Sequence, residues 1–338
     1  MLYLTTRDIN DAHTAYKTLT SDIAADGGMY LPFRLDPFAE SDISALRANS
    51  FCTNVAKILN LFFNTELSGW NVETIIGKNS LRNISLNRKL VIAQVWHNLA
   101  SDYAYTETNL FRNLSNSGVL PVVPTNWAKI AIRVAVVFGI YGAMLTEEQI
   151  HIGQKFDVAV LTGDFSEPTA MWLAREMGLP IGRILCTCEE PGAFWDLVHR
   201  GQLNTTQLSE SEKLGLERLI YLVFGREEAL RYRSECENRG VFAVAEEQMP
   251  ILSEQFFCSV VGSNRAMTVI NSVLRANSYL TAPKAASAYG VIQDFRGKTG
   301  NSTITLLTEE SDPEKFPEIM EKATCLQMRE IKKICKDH

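Results

Sequence analysis

The central turn of this chain is Thr162-Gly163-Asp164-Phe165-Ser166-Glu167-Pro168, which follows an apolar run at 158–161 and precedes a helix-like segment at 171–180. A strand that turns through a glycine into a helix aims unpaired backbone N–H groups and the positive end of the helix dipole at one point, an arrangement that binds phosphate. Asp164 and Glu167 would repel a phosphate there and could themselves cap the helix. The turn therefore has the shape of an anion site and the wrong charge for an anion.

The pattern around this turn predicts the fold. Apolar runs with strand character lie at 89–95, 157–161, 183–187 and 303–307. The second and third runs flank a predicted helix at 168–178, which is typical of a βαβ unit with parallel strands. We therefore expect an α/β fold with a mostly parallel sheet flanked by helices. The turn at 162–168 should lie at the carboxyl edge of that sheet, where ligands bind.

The flanking regions are predicted from local patterns. Residues 1 to about 80 are predicted to form helical segments packed against the sheet, and the apolar segment 126–145 is predicted to be a buried helix capped by Thr125 or Asn126. Gly297-Lys298-Thr299 precedes a strand-like run and is predicted to be a hairpin turn. We expect a mainly helical N-terminal domain over 1–112 and an α/β domain over 113–338.

Composition excludes several classes of function. The 338 residues are 46% hydrophobic, enough for a large core, and the formal charge of -6 with dispersed basic residues argues against a nucleic-acid partner. Lys129 and Arg133 within 126–145 argue against a membrane span. The first residues lack the pattern of a signal peptide, so we expect a cytoplasmic protein. Seven cysteines fit reduced thiols, and Cys186 and Cys188 are interpreted as buried apolar residues without a metal.

Several segments, in the right order, carry a resemblance to a known family. They are Tyr3–Arg7, Ile23–Pro32, Asn126–Ile130, Thr162–Phe165, Met177–Ile181, Leu216–Tyr221 and Pro313–Glu318. With these segments the chain resembles the threonine synthases, which are pyridoxal-phosphate (PLP) enzymes of fold type II. The resemblance implies a PLP pocket whose phosphate loop matches Gly163, Asp164, Phe165, Ser166 and Glu167. It also implies that His97 and Asn126 lie in the cofactor region, although His97 is more simply interpreted as a core histidine bonded to backbone.

The departures from the family concern the cofactor. The resemblance places the family's Schiff-base lysine at Ala104, where no amine is available. Asp164 and Glu167 bring carboxylates to the phosphate loop, and Ser166 replaces a glycine. The family's hydroxyl near the pyridine nitrogen falls on Ala285. We therefore expect no catalytic residues and a vestigial cofactor site made of Gly163, Asp164, Phe165, Ser166, Glu167, Ala285, His97 and Asn126.

A gap in the resemblance also indicates that the cofactor site is incomplete. Ala104 and Asn126 lie only 22 positions apart, whereas a βαβ unit needs about 30 residues or more. We therefore expect that the domain covering the cofactor in the family is largely missing.

Two functions follow from these expectations. The first is a threonine synthase-like pseudoenzyme without a cofactor, which acts through a protein partner or a small metabolite and could be a homodimer. The alternative is an active PLP-dependent lyase that converts O-phosphohomoserine to threonine and phosphate, with Lys129 or Lys284 replacing the missing lysine. A lysine in that region is more often the partner of a carboxylate, here Asp164 or Glu167.

Overall fold

The N-terminal region combines a small sheet with four helices. The computed structural model describes residues 1–78, 80–96, 103–115 and 120–337. Its first elements are β1 (Leu2–Thr5), β2 (His13–Thr14), α1 (Ala15–Thr20), β3 (Tyr30–Pro32), α2 (Glu40–Ala45), α3 (Phe51–Phe63) and α4 (Gly69–Ile76). The three strands form an antiparallel sheet in the order β2-β1-β3. These strands were not predicted, because two to four residues are too few to show an alternating pattern.

The central sheet has six strands. They are β4 (Arg82–Asn87), β5 (Leu90–Gln94), β6 (Phe156–Leu161), β7 (Ile181–Cys188), β10 (Phe256–Val260) and β11 (Ile304–Glu309). The order is β10-β7-β6-β11-β5-β4, and every neighbouring pair is parallel except β4 with β5. The predicted mostly parallel sheet and the parallel pairing of β6 with β7 are confirmed. A further pair, β8 (Gln202–Asn204) and β9 (Val241–Ala243), forms a separate two-stranded sheet.

Helices cover both faces of the central sheet. They are α5 (Tyr103–Arg112), α6 (Asn126–Thr146), α7 (Ser166–Glu176), α8 (Ala193–Arg200), α9 (Glu210–Phe224), α10 (Arg226–Asn238), α11 (Met249–Gln255), α12 (Ser263–Asn277), α13 (Pro283–Thr299), α14 (Pro317–Thr324) and α15 (Met328–Asp337). On one face of the central sheet, a hydrophobic core packs α3, α6 and α7 against the strands. On the other face, a second core packs α12 and α13 against them. The layered arrangement buries side chains on both sides of the parallel strands.

The prediction of a hairpin turn at 297–299 is wrong. Helix α13 continues through Thr299 and ends at Gly300, which adopts a left-handed φ of 67°. The following strand β11 pairs in parallel with both β5 and β6. A glycine just beyond the last helical turn ends the helix there, so Gly300 and not Gly297 marks the change of direction.

Helix α6 is buried over most of its length. Thr125 is its N-cap, and the Thr125 hydroxyl oxygen accepts the Ala128 N–H at 3.3 Å. Within the described part of the chain it is the one helix long and apolar enough to cross a membrane, and 83% of its apolar window is buried in the protein. Packing against α3 and α7 therefore accounts for its apolar sequence, as predicted.

The interval between α5 and α6 is short. Of its residues, 113–115 and 120–125 are described, and they form neither helix nor strand. The central sheet takes β4 and β5 from before residue 112 and its other strands from after it. The division of the chain into domains at 1–112 and 113–338 stays a prediction. Strands from both sides of this boundary pair in one continuous sheet.

Candidate functional site

The turn between β6 and α7 is closed by its own side chains. Gly163 has a φ of 41° and Phe165 a φ of 64°, so the chain reverses through two left-handed residues. The Asp164 carboxylate accepts the Ser166 N–H at 3.1 Å and the Ser166 hydroxyl at 2.5 Å. The prediction that the Asp164 carboxylate accepts a backbone N–H is confirmed, although the N-cap residue of α7 is Phe165. A backbone donor that could face an external anion is therefore already bound.

Glu167 closes the turn from the other side. Its Oε2 accepts the N–H of Leu161, the last residue of β6, at 3.0 Å, and its Oε1 lies 3.4 Å from Nη1 of Arg133. The sequence analysis predicted such bonds but named Lys129 or Lys284 as the cation. That choice was wrong, because neither lysine lies within ion-pair distance of a carboxylate in the part of the chain that the structure describes.

Arg133 is shared by three carboxylates. Its Nη1 donates to Glu310 at 2.6 Å, its Nε lies 3.3 Å from Glu107, and Glu167 completes the set. The guanidinium carbon lies 5.3 Å from the centre of the Tyr103 ring. These side chains come from α5, α6, α7 and the end of β11, so four elements meet at the carboxyl edge of the sheet. We call these five residues, Tyr103, Glu107, Arg133, Glu167 and Glu310, the arginine cluster.

Burial and neighbouring charges shift the pKa values of Glu107, Glu167 and Arg133 in the arginine cluster. Burial raises the pKa of Glu107 and that of Glu167, the latter to about 7, although Arg133 acts in the opposite direction. Burial alone would lower the pKa of Arg133, but Glu310, Glu167 and Glu107 hold it well above its ordinary value. One guanidinium therefore neutralises only part of the acidic charge around it.

Another buried carboxylate, that of Glu309, accepts a hydrogen bond from the residue that precedes α13. Its Oε1 accepts the Thr281 hydroxyl and the Ala282 N–H, both at 2.9 Å. Its Oε2 accepts the Tyr279 hydroxyl at 2.6 Å, Gln94 Nε2 at 3.2 Å and Trp96 Nε1 at 3.3 Å. Burial raises the pKa of Glu309, and these hydrogen bonds oppose the rise. With five donors and full burial, the carboxylate fixes the β5 and β11 ends to the segment that carries Ala285.

Only part of the predicted site comes together. Ala285 lines a cavity of about 20 Å³ together with Glu167 and Glu310, which leaves space for about one water molecule. Asn126 lies apart from the arginine cluster, where its side-chain oxygen accepts from Arg218 and its N–H donates to Asp22 at 2.5 Å. His97 lies outside the described residues.

Two further positions show how the site is packed. Ala104 lies on the exposed face of α5, whereas Tyr103 and Glu107 lie on its buried face toward Arg133. On the opposite side of the turn, α9 approaches the backbone closely at Gly215. A Cβ at that position would lie only 2.4 Å from the carbonyl oxygen of Asp164. The turn is therefore held on one side by a helix backbone and on the other by the arginine cluster.

The arginine cluster was not predicted from the sequence, although two signals pointed to it. A single arginine inside the apolar segment 126–145 needs a carboxylate partner when the helix is buried. Glu309 and Glu310 follow an apolar strand directly and would lie at the same sheet edge as the turn at 162–168 if the strands are parallel. Together these two patterns indicate a charged cluster at that edge.

Comparison with known proteins supports one family. Residues 2–79 match the family described as "Threonine synthase N terminus". Human "Threonine synthase-like 1" is 22% identical over 186 residues, which are 52% of this chain and 25% of that protein. "Threonine synthase" of Pseudomonas aeruginosa is 25% identical over 224 residues, 62% of this chain and 45% of that protein. The chain thus spans about a quarter of the length of the threonine synthase-like relatives.

Solved structures match over nearly the whole chain. PLP-bound threonine synthase from Brucella melitensis gives a TM-score of 0.76 at 16% identity and covers 97% of this chain and 92% of that chain. Threonine synthase from yeast gives a TM-score of 0.75 at 14% identity, with 95% and 89% covered. At these identities the similarity shows the fold, which agrees with the α/β architecture described above.

Proposed function

We propose that this chain, a member of the threonine synthase-like family, is a non-catalytic protein that works without PLP and acts through a small ligand or a protein partner. The observation that carries the proposal is the arginine cluster. It brings Glu167 and Glu310 to the sheet edge where the family resemblance implies the cofactor. A site for an anionic cofactor offers hydrogen-bond donors or positive charge, and these carboxylates supply acceptors and negative charge instead.

The residues present do not fit the cofactor. The turn that would hold a phosphate has its Ser166 N–H bound by Asp164, and the cavity beside Ala285 has a volume of about 20 Å³. A pyridine ring with a phosphate is far larger than the single water molecule that such a volume holds. We therefore derive no chemical step through PLP.

The position that the resemblance gives to the lysine for covalent attachment is Ala104. Ala104 carries no amine and lies on the exposed face of α5. Lys129 and Lys284 come close enough to lower the pKa of Glu107 and of Glu167, respectively, behind the stronger effects of burial and Arg133.

The alternative is an active PLP-dependent lyase of the threonine synthase type. The observation in its favour is Lys284, which lines the small cavity next to Ala285 and carries the amine that this alternative needs. This alternative requires that Arg133 and its carboxylates rearrange to admit the cofactor. Breaking a buried ion pair of this kind costs about 3–5 kcal/mol.

The two functions are separated by cofactor attachment. The protein is incubated with PLP, its visible spectrum is recorded, and borohydride reduction is followed by peptide mass spectrometry. We expect no absorbance of a lysine-bound cofactor, no labelled lysine and no phosphate release from O-phosphohomoserine. Ala104→Lys should behave in the same way, because the new amine would lie on the exposed face while the arginine cluster stays in place. Stoichiometric labelling of Lys129 or Lys284 in the wild type would support the lyase instead.

A further inference from the structure

Three thiols lie together on one face of the central sheet. Cys186 and Cys188 are two positions apart in β7, so their side chains leave the sheet on the same side. Cys258, in the edge strand β10, is the direct register partner of Cys186. Cys186 and Cys258 belong to the core that packs α3, α6 and α7 against the sheet, and Cys188 packs against that core. We call these three residues the thiol cluster.

The three thiols differ in their exposure. Cys186 and Cys258 are 0% and 1% exposed. Cys188 is the last residue of β7 and is only half-buried, in contrast to the expectation from the sequence that it would be buried. It also lines a cavity of about 520 Å³, which has room for several molecules of the size of water. A small reagent in solution can therefore reach Cys188 but not the other two sulfur atoms.

Two hydrogen bonds connect Cys188 to strand β10. Its Sγ donates to the Ser259 carbonyl at 3.8 Å, and the Cys258 thiol donates to the Cys188 sulfur. Cys186 is not part of this chain, because its Sγ donates to the Ile184 carbonyl at 3.9 Å. When Cys188 loses its proton, the Cys258 S–H remains as a donor to the negative sulfur. A hydrogen bond to the charged form of a group stabilises that form.

The hydrogen bond between the thiols separates their pKa values. It lowers the pKa of Cys188, although burial acts in the opposite direction. The same hydrogen bond, together with burial, raises the pKa of Cys258. Burial raises the pKa of Cys186 well above its ordinary value. Cys188 is therefore the thiol that forms a thiolate first, and the thiolate is the nucleophilic form of cysteine.

The charged groups around Cys188 balance one another. Two acids and two bases line the same cavity, namely Glu189, Glu318, Lys284 and Lys322. From α7, Glu167 raises the pKa of the neighbouring Cys186. Because the formal charges at the cavity cancel, the hydrogen bond from Cys258 is the contact that distinguishes Cys188 from an ordinary half-buried cysteine.

We propose that Cys188 is a site of oxidation by hydroperoxides, with the Cys258 thiol as the hydrogen-bond donor that activates it. The Cys188 thiolate attacks one oxygen of hydrogen peroxide, and the S–O bond forms as the O–O bond breaks. The hydroxide that leaves takes a proton from the solvent, so the products are a sulfenic acid on Cys188 and water. The sulfur loses two electrons and the peroxide gains them. Cys258 is not consumed and acts as a positioning residue.

The strand geometry stops the reaction at the sulfenic acid. Cys188 and Cys258 are offset by two positions across neighbouring strands, which separates their Cα atoms by about 8 Å. A disulfide cannot form beyond about 7 Å unless the backbone moves. Cys186 lies two positions back in the same strand, and the Cβ atoms are about 6.6 Å apart, beyond the range of about 3.5–4.5 Å for a disulfide. Neither thiol of the cluster can therefore condense with the oxidised Cys188.

The experiment treats the whole protein with hydrogen peroxide in the presence of dimedone, which traps sulfenic acids, and locates the label by peptide mass spectrometry. We expect the label on Cys188, formed at least about tenfold faster than on exposed Cys325. Cys258→Ala should slow labelling of Cys188 about tenfold, as expected for a lost hydrogen bond to a charged group. Cys258→Ser keeps a hydroxyl donor and should retain most of the rate. Cys186→Ala is the matched control and should leave the rate unchanged.

A pH profile separates this role of Cys258 from a purely structural one. Alkylation of Cys188 by iodoacetamide follows the thiolate, so its midpoint should move to higher pH in Cys258→Ala and stay in place in Cys186→Ala. Urea unfolding of each variant checks that the fold is retained, and the comparison of Cys188 with Cys325 in the wild type needs no variant.

Three results would overturn the proposal. They are labelling of Cys188 no faster than that of Cys325, an unchanged rate and midpoint in Cys258→Ala, and a disulfide between Cys188 and Cys258. The site requires neither PLP nor the ligand of the proposed function. Lysine labelling by PLP would therefore overturn the proposed function and leave the thiol cluster as proposed.

Discussion

The carboxylate of Glu167 accepts the N–H of Leu161 at 3.0 Å, so a side chain in the first turn of α7 binds the last residue of the strand before it. The same carboxylate contacts Arg133 at 3.4 Å. The turn is thereby joined to α6, and through Arg133 to α5 and to the end of β11. These contacts lead to predictions that do not depend on any ligand.

Glu167→Gln should change how stability depends on pH. The pKa of Glu167 is about 7 in the folded protein, above its ordinary value of 4.5, so the folded state binds the proton more tightly than the unfolded state. This group therefore lowers the free energy of unfolding as pH rises from about 4.5 to about 7, by at most about 1.4 kcal/mol per pH unit. Urea unfolding between these pH values should show a smaller decline in the Gln variant. Exposed Glu254→Gln should follow the wild type, and an unchanged slope at Glu167→Gln would contradict the pKa.

Arg133→Met should be strongly destabilising at neutral pH. The substitution leaves Glu107, Glu167 and Glu310 close together without their cation, and we expect a loss of about 3–5 kcal/mol in the free energy of unfolding. The deficit should shrink at low pH, where the carboxylates become neutral. Arg47→Met is the matched control, because its pair with Glu148 is more than half exposed and should contribute less than about 1 kcal/mol. Equal losses in the two variants would rule out a special role for the arginine cluster.

Glu309→Gln tests the buried carboxylate at the start of α13. An amide would turn one NH₂ group toward donors such as Tyr279, Thr281 or the Ala282 N–H. We expect a loss of at least about 2 kcal/mol, because buried donors would be left unpaired. Chemical unfolding of Glu254→Gln gives the baseline for an exposed position. A loss below about 0.5 kcal/mol would mean that the amide satisfies the same donors.

Two glycine-to-alanine variants should have opposite effects. A Cβ at Gly142 in α6 would lie 2.2 Å from Asn54 Nδ2, which donates to the Leu46 carbonyl at 2.9 Å. Gly142→Ala should therefore cost about 1–3 kcal/mol through overpacking. Gly297 lies in α13 with nothing within 4 Å of the corresponding position, so Gly297→Ala should stabilise by about 0.5–1 kcal/mol. Thermal or urea unfolding of both variants checks the signs, and a stabilising Gly142→Ala would show that α3 and α6 are not closely packed there.

Local patterns predicted the fold better than the site. The helix predicted at 126–145 is observed at Asn126–Thr146, and the strand predicted at 157–161 is observed at Phe156–Leu161. These elements were predictable because their apolar periodicity extends over many neighbouring residues. The hydrogen bond from the Ser166 N–H to the Asp164 carboxylate was also predictable, since the two residues are only two positions apart.

The arginine cluster could not be predicted in the same way. Arg133 and Glu310 are separated by 177 positions, and only the parallel order of β6, β11 and β5 brings them together. Predicting their contact requires the strand order first, which a single sequence does not supply. The same reasoning explains why Lys129 in the apolar helix and Lys284 in the segment matched by the resemblance were proposed as partners of Asp164 or Glu167, whereas the observed partner of Glu167 is Arg133.

Strand β11 has a consequence for how the chain folds during synthesis. It lies between β5 and β6 in the sheet, but it is made at residues 304–309, long after β6 ends at Leu161. Until it inserts, β5 and β6 each present an edge of unpaired N–H and carbonyl groups, the kind of edge on which chains aggregate. The sheet is therefore completed late, when β11 inserts between two strands that are already present. A nascent or shortened chain that lacks β11 should depend on chaperones to avoid aggregation.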